Sequence, residues 1–62
     1  MKAEDFMNLS KKKAQDLAEA KNMVFRLIKK DDEDFLPYPE DIRNDRVCVE
    51  IRDLKVIKAT IQ

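Results

Sequence analysis

A chain of 62 residues with no histidine and a single cysteine lacks much of what catalysis and metal binding draw on. That composition excludes an internal disulfide and a cysteine-based zinc site, removes the commonest general base, and leaves no room in so small a domain for a deep cavity beside a core. Charged residues make up 42% of the chain at a formal net charge of zero, and the apolar runs are too short for a membrane span or a signal-peptide core, so a charged globular domain in a reducing, cytoplasmic setting is expected.

Residues 1–9 read as an N-terminal extension to a single domain over residues 10–62. Ala3, Phe6 and Met7 suit one or two amphipathic turns, or a terminus that docks only Phe6. Ser10 is a good N-cap, with Leu9 and Ala14 at the two positions of a hydrophobic staple. Residues 11–21 follow as a helix, with Ala14, Leu17, Ala18 and Lys21 on one stripe. Its apolar face is narrow and suits a small sheet. Asn22 is the expected stop, since asparagine tolerates the left-handed conformation that ends helices.

Met23 to Lys29 reads as a strand, with Phe25 and Leu27 on one face and Val24 and Ile28 on the other. Lys30 to Asp45 is a long connection containing Pro37 and Pro39, which hold their own backbone and extend Leu36 and Tyr38. One of Phe35 and Leu36 is expected to anchor it. Arg46 to Ile51 alternates, with Val47, Val49 and Ile51 facing one way and Arg46, Cys48 and Glu50 the other. A turn at Arg52–Leu54 leads to a last strand, Lys55 to Ile61, with Ile57, Ala59 and Ile61 as its inner set and Val56 opposite. The chain has no glycine, so Asp53 is the residue best able to supply the positive φ of a tight hairpin. The expected fold is α+β: one main helix on a small three-stranded mixed sheet, with a long exposed loop before a C-terminal hairpin. The first two strands are expected to be parallel, since the long connection permits a crossover.

Charge is unevenly spread. Residues 31–41 hold six carboxylates (Asp31, Asp32, Glu33, Asp34, Glu40, Asp41) and no base, whereas residues 1–30 hold eight bases against four acids. Such a loop repels phosphate and attracts basic surfaces, or simply keeps the domain soluble.

The order of these elements, together with Asp41-Ile42-Arg43-Asn44-Asp45-Arg46-Val47 and the following Val49, Ile51, Val56 and Ile57, resembles the potato inhibitor I family, the chymotrypsin inhibitor 2 type, and its small bacterial and phage relatives. Val24 to Lys29, with Arg26 inside, resembles the strand that precedes that family's loop. The resemblance covers residues 10–60 on a short, permissive motif. It implies a serine protease inhibitor-like protein acting through the Phe35–Arg46 loop. Glu40 falls where the family places the residue that enters the protease's specificity pocket, Asp41 just after the scissile bond and Pro39 just before Glu40. It also implies that arginines hold the loop rigid, Arg46 gripping Asp41 and Arg43 supporting the outer side. The chain departs from the pattern at three positions. Pro39 replaces a hydroxyl that shares the support, Ile42 replaces the usual aromatic, and Cys48 stands where plant members carry a second supporting arginine.

The residues themselves favour binding over catalysis. Glu40 and Asp41 are adjacent on an extended segment, point apart, and do not make an acid–base pair. Asp31 to Asp34 lack the spacing and glycine of a calcium loop, so ion pairing with Lys29 and Lys30 is expected. Lys11 to Lys13 have no interleaved aromatics, so nucleic acid is not the expected partner. Cys48, with no histidine nearby, reads as an inert thiol. Tyr38 reads either as a protruding contact or as a residue packed back on the sheet. The expectation is a non-enzymatic domain without cofactor or metal, with a partner-binding loop of Tyr38, Pro39, Glu40, Asp41 and Ile42 supported by Arg43 and Arg46. Its partner is a protein, a serine protease or a host factor. The rival expectation is a phage or bacterial accessory protein that binds a host factor through another surface. A third is a homodimer formed through an edge strand.

Overall fold

The computed structural model describes residues 2–62. One turn of 3-10 helix (Ala3–Phe6) precedes helix α1 (Lys11–Ala20) and strands β1 (Val24–Lys30), β2 (Glu33–Asp34), β3 (Arg46–Arg52) and β4 (Lys55–Ile61). The Ser10 hydroxyl accepts from the Lys13 amide at 3.2 Å, so the N-cap forms where the sequence places it. At the other end Asn22 is left-handed, with φ 58°, and the Met23 amide donates back to the Ala18 carbonyl at 2.8 Å. That reversal ends the helix and turns the chain directly into β1.

The helix packs on a four-stranded mixed sheet of order β2-β1-β3-β4. β1 and β3 are parallel, and β3 and β4 form an antiparallel hairpin. The strand missing from the sequence-based expectation is β2, two residues that pair antiparallel with the end of β1. Glutamate and aspartate are poor strand formers, so the turn makes this strand. Asp31 and Asp32 are both left-handed, at φ 49° and 67°, the geometry of a two-residue type I′ hairpin.

Val47, Val49 and Ile51 of β3 point into the core with Ala14 and Ala18 of α1, Val56 of β4, and Phe6. The two alanines let the helix sit close to the sheet but supply little volume, and Phe6, fully buried, fills what they leave. The N-terminal segment that carries Phe6 lies along β4: the Asn8 amide donates to the Val56 carbonyl and the Val56 amide to the Leu9 carbonyl, each at 2.9 Å. Of the N-terminal extension, the described residues 2–9 thus contribute Phe6 to the core and occupy the β4 edge of the sheet at Val56, one of its two edges.

Two bulges shift the strand faces. One, between Leu27 and Lys29, leaves Ile28 without a partner on β3. Phe25 and Leu27 pack against the core as expected, while Ile28 is buried outside that cluster. The other lies opposite Glu50 and Ile51 and corrects the inner set of β4: Ile51 pairs with Val56 and Glu50 with Lys58, so Val56 enters the core and Ile57 is exposed. Strict alternation along β4 cannot hold once an extra residue is inserted.

The β3–β4 turn is also of type I′, with Asp53 at φ 52° and Leu54 at 68°. The left-handed region costs an L-residue with a Cβ about 1–2 kcal/mol, and Leu54 is 71% exposed, so packing returns little. Leu54→Gly is expected to raise stability by about 0.5–1 kcal/mol, the relief being offset in part by glycine's greater chain entropy. Urea denaturation of the two proteins measures it. No helix among the described residues is long and apolar enough to cross a membrane.

Candidate functional site

The sheet has two faces. The helix covers one. The other carries Arg26 from β1 and Arg46, Cys48 and Glu50 from β3, and the proline-rich connection lies across it. The connection starts pinned, because the amides of Phe35 and Leu36 both donate to the Ile28 carbonyl, at 2.9 and 3.3 Å. The Arg26 guanidinium then donates twice to the Pro37 carbonyl, at 3.1 and 2.8 Å. Tyr38 packs back onto the sheet: its hydroxyl donates to Glu50 Oε2, and the Lys58 ammonium stands 5.4 Å from its ring centroid and 3.7 Å from the same carboxylate oxygen. Removal from water, and then the adjacent Glu50 carboxylate, push the phenol well above its ordinary range.

Arg46, 8% exposed, ties the far end. Its Nη2 donates to both the carbonyl and the carboxylate of Asp41, each at 3.1 Å, and to the Gln62 carbonyl at 2.6 Å, which also receives Nε at 3.1 Å. The hydrogen bond from Arg46 holds the Asp41 carboxyl below the usual carboxylate range. Arg43 pairs with Asp45 through two parallel bonds of 2.8 and 2.6 Å, and this bond lowers the Asp45 pKa and raises that of Arg43. Arg43 therefore braces the entry to β3 and makes no hydrogen bond to Asp41.

Between the two clamps Pro39 is half-buried and Glu40 projects into solvent, and just past the second Ile42 does the same, at 87% exposure. Of the five loop positions named from sequence, Glu40, Asp41 and Ile42 make one exposed tip, Tyr38 lies against the sheet, and Pro39 is half-buried between them. Sequence reasoning missed Arg26 as a loop support. The available signal was a lone arginine inside an otherwise apolar strand run; its acceptor is a backbone carbonyl, which carries no side-chain signature.

The acidic run is engaged elsewhere. Asp32 pairs with Arg52 at 2.5 Å, and the Asp31 carboxylate accepts from the Asp53 amide at 3.0 Å. These contacts join the two type I′ turns at one end of the sheet and replace the expected pairing with Lys29 and Lys30, which form no ion pair among the described residues. No group of three or more acidic or thiol side chains among them is placed to hold a metal ion.

Cys48 lies under the loop with no exposed surface, and burial raises its pKa, opposed in part by Arg46 and Arg26. Native protein is expected to react with a thiol reagent at neutral pH only at its unfolding rate, and about as fast as free cysteine in denaturant. Labelling with and without urea checks this. Compared with known proteins, the chain matches no family model, no curated protein and no solved structure.

Proposed function

We propose that this domain is a non-enzymatic protein-binding module that presents the tip Glu40–Ile42 to a target protein, in the manner of a serine protease inhibitor of the potato inhibitor I type. The observation that supports it is the clamp of Arg46 on Asp41, beside an aliphatic side chain left almost wholly in solvent. A loop fixed before it meets its partner loses little entropy on binding, and an exposed Ile42 on such a loop is a ready anchor. In this reading Glu40 enters the specificity pocket, so the target cleaves after acidic residues. Arg46 and Arg26 hold the Glu40–Asp41 bond in place.

A panel of serine proteases that includes acid-specific enzymes tests it. The expected result is inhibition that weakens by about tenfold or more, some 1.4 kcal/mol, in Glu40→Ala and in Ile42→Asp. No inhibition across the panel, or rapid cutting at Glu40–Asp41, removes the inhibitor reading.

A further inference from the structure

The β1 edge of the sheet has an opening. β2 pairs with β1 only at Lys29 and Lys30, and the amides of Phe35 and Leu36 take the Ile28 carbonyl just before it. At the other end Asn22 turns the chain out of the sheet. Between these stops lie residues 23–27. The Val24 amide donates to the Asp45 carbonyl at 2.7 Å and so faces β3. Successive residues alternate, so Phe25 turns both its N–H and its C=O outward, Leu27 its N–H and Met23 its C=O. None of these outward groups has a main-chain partner among the described residues.

The open stretch lacks the devices that keep an edge strand from pairing. It contains no proline, and its one charge, Arg26, is drawn onto the Pro37 carbonyl. Val24 is 51% exposed, and Phe25 and Leu27 are covered only in part. The opposite edge is guarded. On β4, Lys55 and Lys58 are exposed, and the segment of Asn8 and Leu9 takes both main-chain groups of Val56.

A second copy of this chain fits the opening. Phe25 is the midpoint of residues 23–27, so a two-fold axis through it sets the stretch antiparallel to its own copy along its whole length. Phe25 then exchanges a pair of hydrogen bonds with Phe25 of the second copy, and each Leu27 amide reaches the other Met23 carbonyl. Side chains agree with this register. Phe25 meets Phe25, Met23 meets Leu27, and the apolar stem of Arg26 lies on Val24, with no like charges opposed. Centring the pairing on Arg26 instead would set two arginines face to face. Pairing β1 of one copy with β4 of the next would meet the guarded edge and run on without closing.

We propose that the chain forms a symmetric dimer in which two β1 strands pair antiparallel about Phe25, joining the two sheets into one. This gives the edge-strand dimer expected from sequence a place and a register, and it does not rest on the tip at Glu40 to Ile42.

Sedimentation velocity and backbone amide NMR over a dilution series test it. The expected result is a monomer–dimer equilibrium with a dissociation constant between about 10 μM and 1 mM, because few residues pair. Shifts and slowed amide exchange are expected at Phe25 and Leu27 as concentration rises. Val24 is exposed and in this register faces Arg26 of the second copy, so its charge variants read the register. Val24→Lys is expected to weaken the dimer about tenfold, and Val24→Glu to hold it at least as tightly as wild type, the difference shrinking with added salt. The amide spectrum verifies that both variants are folded. A monomer throughout the series would overturn the proposal. So would equal affinities of the two Val24 variants, or concentration-dependent shifts centred on Ala59 and Ile61 or on Phe35 and Leu36, which would move the contact elsewhere.

Discussion

Phe6→Ala is expected to leave a large fraction of the protein unfolded at 25 °C, although the residue lies in a segment that sequence alone marks as an extension. Phe6 is fully buried and packs with core residues from the helix and from β3 and β4. Truncating a buried phenylalanine costs about 3–5 kcal/mol in lost transfer energy and cavity. At about 0.05–0.15 kcal/mol per residue, a domain of this size has only some 3–9 kcal/mol to lose. The helix compensates little, because its fully buried positions are the alanines Ala14 and Ala18 and Leu17 packs there only in part. Phe6→Leu, which keeps most of the volume, is expected to cost less than about 1.5 kcal/mol. Urea titrations followed by circular dichroism decide the matter. A midpoint for Phe6→Ala within error of wild type would show that the N-terminal turn is not part of the core.

Arg46→Met is expected to free the loop and to abolish its response to acid. The guanidinium gathers Asp41 and Gln62 onto the first residue of β3. Hydrogen bonds to a charged group contribute about 1.5–3 kcal/mol each before screening. The Asp41 carboxylate is 66% exposed, so its own share is heavily discounted. A net loss of about 1–3 kcal/mol is expected, mainly from the carbonyl contacts. Arg46→Lys should not restore it, since an ammonium cannot serve both acceptors with the geometry of a planar fork. Because the folded-state pKa of Asp41 is depressed, its contribution is complete above the ordinary carboxylate range and is lost as pH falls through the depressed value. The wild-type loop is therefore expected to be ordered at neutral pH and to loosen in acid. In Arg46→Met it should be mobile throughout, with no acid step. Nitrogen relaxation of residues 39–42 across the pH range measures both. A rigid loop in the variant would sink the clamp and weaken the binding reading that rests on it.

The parts of the fold that can be read from sequence are those set by local chemistry. Ser10 caps the helix, Asn22 ends it, Val47, Val49 and Ile51 alternate into the core, and Asp53 takes the positive φ of the turn. Each depends on a residue's own conformational preference or on its periodicity. The grip of Arg46 on Asp41 was also legible, through a resemblance that pairs an acidic loop residue with a strand arginine. What escaped was set by tertiary contact. β2 has no strand-forming residues and exists because two aspartates turn left-handed beside β1. The exchange of Val56 for Ile57 comes from a bulge that no period-two pattern encodes. Arg43 turned to Asp45, which is no nearer along the chain than Asp41, while Asp41 is held by Arg46; Arg26 found a carbonyl that any residue could have supplied.

The pairing of Asn8 and Leu9 with Val56 ties the start of the described chain to its final strand. No shorter stretch can assemble the interior alone, since Phe6 has nowhere to go until β4 is present. A nascent polypeptide halted before Lys55 should consequently be degraded readily by proteases, and maturation of the domain becomes a single late event that waits for β4 to emerge.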